Sequence, residues 1–157
     1  MKKAFFILAA VCAPLLFQSN ISEPPPEEIP WEDWNTGYPR AVREKKIVLV
    51  DAYTDWCGWC KKMDRDTYSN AEVIRKVKKY FVPIKFNPEL NKTYYIDSAA
   101  FSGPQLHSML SQNQRFGFPT TYFIITSKNT IYIQPGYQNS AEFLDMLDKM
   151  IESAGLK

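Results

Sequence analysis

The stretch VLVDAYTDWCGWCKKMD, residues 48–64, joins a strand-like run to two cysteines spaced two residues apart. The run KIVLVDAY, residues 46–53, is apolar and rich in β-branched residues, as a buried central strand requires. It ends at Thr54-Asp55, and a helix is predicted to begin around Cys57. Cysteines at that point have three available roles: exchanging electrons, holding a metal, or packing. The helix start favours the first. A sulfur there faces unpaired backbone N–H groups and the positive end of the helix dipole, which stabilise thiolate over thiol. In such settings a cysteine pKa falls from about 8.5 to between about 3.5 and 7.5. Cys57 is therefore the expected nucleophile, and Cys60, one turn deeper, the expected resolving thiol.

Ahead of this run, IPW at 29–31 opens a short strand, and a short helix covers 38–45 with Pro39 in its first turn. Downstream, SNAE at 69–72 has the capping-box pattern, and Val73, Ile74, Val77 and Phe81 follow at helical spacing. FVPIKF, 81–86, is the next strand. Pro83 cannot donate a ladder hydrogen bond, which puts this strand near an edge or at a bulge. Residues 87–104 read as irregular, and whether Tyr94 and Tyr95 join the core or a substrate-facing flap stays open. A helix around 104–114 follows. TTYFIIT, 120–126, and TIYIQ, 130–134, are joined by SKN and form an antiparallel hairpin. The last helix starts near Asn139, with Glu142 three residues on. Its apolar face is Phe143, Leu144, Leu147, Met150 and Ile151, and Gly155 stops it. Strands alternating with helices, closed by a hairpin and a helix, give an α/β fold with a central mixed sheet flanked by helices.

The 157 residues suit one domain, and 45% hydrophobic residues supply a core. A net charge of +2 points neither to nucleic acid nor to an anionic surface. Residues 1–20, MKKAFFILAAVCAPLLFQSN, read as a signal peptide. A basic start leads into an apolar stretch, 4–17, too short to span a bilayer comfortably. A retained N-terminal anchor is the alternative. Lipidation at Cys12 is disfavoured because Val11 is not the small residue such processing wants. Residues 21–30, with EPPPEEIP, read as an extended segment, and residues 31–157 as the domain. Removal of the signal leaves only Cys57 and Cys60, in an oxidising compartment. A pair so close closes only a small ring, which suits a redox motif better than a structural staple. Zinc wants four ligands, but the chain has one histidine, His107, far from the pair, and no second cysteine pair. The remaining metal reading is copper capture by two thiolates.

With these residues in view, VLVDAYTDWCGWCKKMD resembles the active-site segment of the thioredoxin superfamily, above all its exported members with a WCGWCKKM pattern. The resemblance covers residues 29–154. Asp51, six residues before Cys57, matches the family's buried acid, and Lys85 in VPIKFN matches the strand lysine beside that acid. GFPTTYFII matches the loop whose proline is cis and faces the disulfide, which points to Pro119. GYQNSAEFLDML fits the closing glycine and helix. The resemblance implies a thioredoxin-like fold and thiol–disulfide exchange with protein substrates. In that scheme Cys57 attacks, Cys60 resolves, Asp51 assists proton transfer with Lys85 in support, and Pro119 shapes the substrate groove. Trp56, Gly58, Trp59 and Phe118 are its substrate-binding surroundings: Trp56 packs beside the site, while an exposed Trp59 and Phe118 form an apolar rim. The chain departs from thioredoxin in Gly58-Trp59, where thioredoxin has Gly-Pro, and in a longer 87–118 region. Arg115-Phe116 also stands where many relatives carry a small or branched apolar residue. His107 reads as an ordinary helix residue.

The expected activity is that of a thiol–disulfide oxidoreductase acting on protein cysteines or disulfides, with no cofactor and no metal. No charged residue lies between the cysteines, which tilts the couple toward a reductant, because strong oxidants stabilise their reduced form. A reductant exported to a bacterial periplasm needs a membrane-bound electron donor. The expected state is a monomer that does not bind nucleic acid. The alternatives are a redox-inactive client-binding module and a metallochaperone.

Overall fold

A computed structural model describes residues 28–156. The expected signal peptide, Cys12 and most of the extended segment lie outside these residues. The elements run α1 (Trp34–Glu44), β1 (Ile47–Ala52), α2 (Gly58–Asp66), α3 (Ala71–Tyr80), β2 (Phe81–Phe86), β3 (Thr93–Ile96), β4 (Ala99–Ser102), α4 (Gly103–Leu110), β5 (Thr120–Ile125), β6 (Thr130–Pro135) and α5 (Ser140–Ala154). Among the described residues no helix is long and apolar enough to cross a membrane.

The main sheet has the order β2-β1-β5-β6. β1 pairs parallel with β2 and antiparallel with β5, and β5 pairs antiparallel with β6. The sheet is therefore mixed, and β1 is central because every residue of it is buried. β2 lies at an edge of this sheet, where Pro83 costs no ladder bond within it. Outside that edge stands a single bridge: Glu32 N–H donates to Pro83 O (2.9 Å) and Lys85 N–H to Glu32 O (3.1 Å). The strand expected at 29–31 is reduced to this contact, with Ile29 packed into the core.

Period-two alternation along the strands fills both faces. Ile47 and Leu49 of β1, with Phe81 and Phe123, meet Met63 of α2, Val73 and Val77 of α3, and Phe143 and Leu147 of α5. Val48, Val50 and Ala52, with Ile84, Phe86 and Tyr122, meet Trp34 of α1, Tyr94 of β3, and Leu106 and Leu110 of α4. Each large apolar side chain so buried contributes roughly 1.5–3 kcal/mol. Asp51 continues the odd-numbered face of β1, the face covered by α2, α3 and α5.

Four expectations shift. Helix α1 begins four residues ahead of 38, because Asp33 caps it by accepting from Asn35 N–H (3.0 Å), and Pro39 sits in its second turn. Gly37 lies inside the helix and allows close packing, since a Cβ on it would lie 2.8 Å from Ile84. The cap of α3 is Asn70, not Ser69: its side chain accepts from the N–H groups of Glu72 and Val73. The 87–104 region is not irregular but holds the β3–β4 hairpin, turned at Asp97 with φ 51°. α1 holds it: Trp34 Nε1 donates to Tyr95 O (2.9 Å) and Asn35 Nδ2 to Thr93 O (2.9 Å). Tyr94 is buried and Tyr95 exposed. α4 then ends at Leu110, short of 114, because Gln112 and Asn113 turn into the left-handed region. The last helix keeps its expected cap, Asn139 with Glu142, and its stop at Gly155, φ 72°.

Candidate active site

β1 delivers the chain into the Thr54–Trp56 turn, and Cys57 N–H donates to Thr54 O (3.1 Å). Cys57 is the N-cap of α2, and its Sγ accepts from Cys60 N–H (3.1 Å). The two cysteines form a disulfide with S–S 2.09 Å and Cα–Cα 5.3 Å. Both are nearly buried, so chemistry there depends on what surrounds the sulfurs. A Cβ on Gly58 would meet nothing within 4 Å, which leaves the top of α2 open.

The surroundings are aromatic. Trp56 is 69% exposed and Trp59 59% exposed. The expected rim of Trp59 with Phe118 divides into two pairs. Phe118 meets the edge of Trp56 at 6.1 Å, and Trp59 instead leans on Tyr137 at 5.6 Å. Trp56, expected to pack beside the site, stands largely in solvent, with its indole N–H donating to the Glu89 carboxylate (3.1 and 3.3 Å). Phe118 precedes β5 and Tyr137 follows β6, at the same end of the sheet, where Gly136 N–H donates to Pro119 O (2.8 Å). The Phe118–Pro119 bond is cis. Thr120 pairs with Ala52, so Pro119 lies at the end of the sheet from which β1 leads to Cys57.

Beneath the pair, Asp51 is in register with Lys85 on β2 and Thr121 on β5. Lys85 Nζ donates to Asp51 Oδ2 (2.6 Å) and to Asp64 Oδ1 (2.5 Å). Asp64 stands one turn beyond Cys60 on α2, so one ammonium ties the buried acid to the helix carrying the second cysteine. The same ammonium faces the rings of Trp31, Tyr53 and Tyr68 at 4.8, 5.2 and 5.3 Å. A groove of about 440 Å³, lined by Trp31, Asp64, Tyr68 and Lys85, opens this cluster to solvent.

Burial pushes the Asp51 carboxyl above its ordinary pKa, and the Lys85 charge opposes that rise. Burial works against the Lys85 ammonium, but Asp51 and Asp64 outweigh it and raise its pKa. Asp51 Oδ1 and the Tyr68 hydroxyl are both buried, and the two side chains interact with each other. Burial, with Asp51 adding to it, raises the Tyr68 pKa well above its ordinary value.

The structure thus sets Cys57 and Cys60 at the start of α2 and ties Asp51 and Lys85 to Asp64 further along the same helix, with Trp56, Gly58 and Trp59 flanking the cysteines and Phe118 against Trp56. Sequence reasoning missed Glu89, Tyr137 and Asp64. Of these only Asp64 carried a signal, its spacing of four from Cys60. It also undervalued His107, whose ring stacks on Phe118 at 5.3 Å and backs the proline loop. Burial lowers the His107 pKa, so the ring is neutral at pH 7. The signal for it was its spacing of three from the core residue Leu110.

Comparison with known proteins agrees with this geometry. The family model Thioredox_DsbH, described as protein of unknown function DUF255, matches residues 14–153. The thiol:disulfide interchange protein DsbD of Tatumella citrea is 26% identical over 107 residues, which is 67% of this chain but 16% of that protein. The chain therefore spans about a sixth of this relative's length. A thioredoxin from Thermus thermophilus superposes with TM-score 0.62 at 17% identity, covering 82% of this chain and 92% of that one. A structure titled DsbH Oxidoreductase superposes with TM-score 0.59 at 15% identity, covering 85% and 94%. These structural likenesses establish the thioredoxin fold.

Proposed function

The chain belongs to the Thioredox_DsbH family, DUF255, and from that premise we propose that it is an exported thiol–disulfide oxidoreductase that reduces disulfides in client proteins. The carrying observation is a disulfide at the N-terminus of α2, a few residues beyond the strand β1 that carries the buried Asp51 carboxyl. In the reduced state the helix N-terminus favours the Cys57 thiolate. That thiolate attacks one sulfur of a client disulfide. A Cys57–client S–S bond forms, the client's own S–S bond breaks, and the freed client sulfur takes a proton. Cys60 then passes its proton to Asp51 and attacks the Cys57 sulfur. The ring disulfide closes, and the second client thiolate leaves and is protonated. Two electrons have moved from the dithiol to the client.

Returning to the dithiol requires two electrons from another protein dithiol, which in an exported setting traces back to a membrane-bound donor. Partial identity with a thiol:disulfide interchange protein supports that pairing. Export rests on the basic start and short apolar stretch of residues 1–20. The reducing direction rests on the uncharged Gly58-Trp59 between the cysteines. The two aromatic pairs, each with an exposed tryptophan, suit a flexible or unfolded client segment.

The test is insulin reduction with dithiothreitol as electron source, with Cys57→Ser as control, together with the equilibrium potential of the couple against glutathione. A reductant lies below about −200 mV, and a potential near about −120 mV would make the protein an oxidant instead. Absence of turnover, with client binding unchanged in a double Cys→Ser variant, would support the binding-module reading.

A further inference from the structure

A second groove lies beside Trp56, on the side of the longer 87–118 region. It encloses about 710 Å³ and is lined by Glu89, His107, Asn113, Arg115, Phe116 and Phe118 among others. That volume is within the range of built ligand sites. The groove is continuous with the rim of the active site at two points, both through the residue before Cys57. The Trp56 ring edge rests on Phe118, and its indole N–H bonds Glu89. A polypeptide whose cysteine reaches Cys57 past Trp56 therefore has this groove as its next surface.

The wall offers both backbone and charge. The N–H groups of Arg115, Phe116, Gly117 and Phe118 donate to no backbone carbonyl among the described residues. An extended chain lying along this stretch can accept from those of them that face it. Of the two charged side chains in the groove, Glu89 accepts the Trp56 indole, whereas Arg115 is exposed and makes no ion pair among the described residues. The remaining polar lining is neutral: Ser108, Ser111, Asn113, Gln114, and a His107 whose pKa burial lowers. The Glu89 carboxylate keeps its charge, and Arg115 is the one cationic side chain of the lining; its guanidinium matches a carboxylate in geometry as well as in charge.

We propose that this groove is a client subsite that takes the stretch flanking the client's cysteine and selects an acidic side chain there through Arg115. The proposal rests on the oxidoreductase reading and adds its specificity. It also gives the 87–118 region a role: the insertion and the loop before Pro119 supply the two walls.

The experiment uses the full chain and two peptides, each carrying a mixed disulfide to a chromophoric thiol. The peptides are identical except for Glu or Lys near the cysteine. Turnover of the neutral bis(hydroxyethyl) disulfide by the wild-type chain tests the oxidoreductase reading separately. The measured quantity is the ratio of kcat/KM for the acidic over the basic peptide. Wild type should prefer the acidic peptide by about fivefold, the upper range for an exposed ion pair. Arg115→Ala should bring the ratio close to one, and Arg115→Glu should invert it. Raised salt should flatten the preference in wild type. If wild type turns over the small disulfide and both peptides, but the ratio is the same in Arg115→Glu, the subsite is refuted while the enzyme reading stands. No turnover of any substrate by wild type overturns both.

Discussion

Replacing Asp51 by Asn removes a base while keeping the shape, and its effect on the second half of the reaction can be sized. The carboxyl is 1% exposed, and burial raises its pKa against the pull of Lys85. An ordinary thiol with pKa about 8.5 is only about 3% ionised at pH 7. A base that took the Cys60 proton completely would raise the attacking thiolate about 30-fold. Asp51→Asn should therefore slow release of a mixed disulfide at pH 7 by up to about 30-fold. The deficit should shrink about tenfold per pH unit and vanish near pH 9, where Cys60 ionises unaided. The assay loads Cys57 with a chromophoric thiol and follows its release by stopped flow across pH. Stability should move the other way. Folding raises the Asp51 pKa, so the folded state binds more protons than the unfolded chain between the ordinary carboxylate pKa and the raised one. Wild-type stability falls as pH rises through that window, and the whole penalty is present above it. Asn carries no such penalty, and Lys85 keeps Asp64 as a partner. The variant should gain on wild type in urea midpoints as pH rises from about 4. Superimposable release profiles for the two proteins would refute the proton-transfer role.

Cys60→Ser should accumulate a client adduct on a non-reducing gel and Cys57→Ser should not; the opposite pattern would reverse the assignment of attacking and resolving sulfurs. Gly103→Ala puts a methyl 2.1 Å from Pro88 O, a backbone atom that cannot swing aside. It should lower the denaturation free energy by about 2–3 kcal/mol, and an unchanged urea midpoint would mean the hairpin is not clamped there. Trp59→Ala removes a 59% exposed ring that touches Tyr137, so it should raise KM for insulin several-fold and shift stability by under about 0.5 kcal/mol. A large stability loss with KM unchanged would make Trp59 a packing residue.

Elements that own their apolar surface were readable. β1 and β5 are buried at every position, and α5 carries both its cap and its stop within its own sequence. The β3–β4 hairpin was not readable, because Tyr94 is its only fully buried residue and its alternation is too shallow to register. Its stability comes from Trp34 and Asn35, some sixty positions away. The start of α1 was hidden for a related reason. Gly37 lies inside the helix, and the packing it allows is against Ile84 on another element.

The same division runs through the site. Cys57, Cys60 and Asp51 sit on one continuous strand–turn–helix: the helix start gives the two cysteines their expected roles, and the resemblance supplies that of Asp51. Lys85 meets Asp51 through strand register, which the resemblance supplied and no local pattern could. Trp56 with Glu89, Trp59 with Tyr137, and His107 with Phe118 each join one loop or helix end to another. Such contacts depend on where loops come to rest, and loop composition does not encode that. The reacting groups belong to the readable class, and nearly every group that would touch a client belongs to the other. That is why the chemistry followed from seventeen residues, while client choice needed the placement of Phe118, Glu89 and Arg115 around a groove that no stretch of sequence describes.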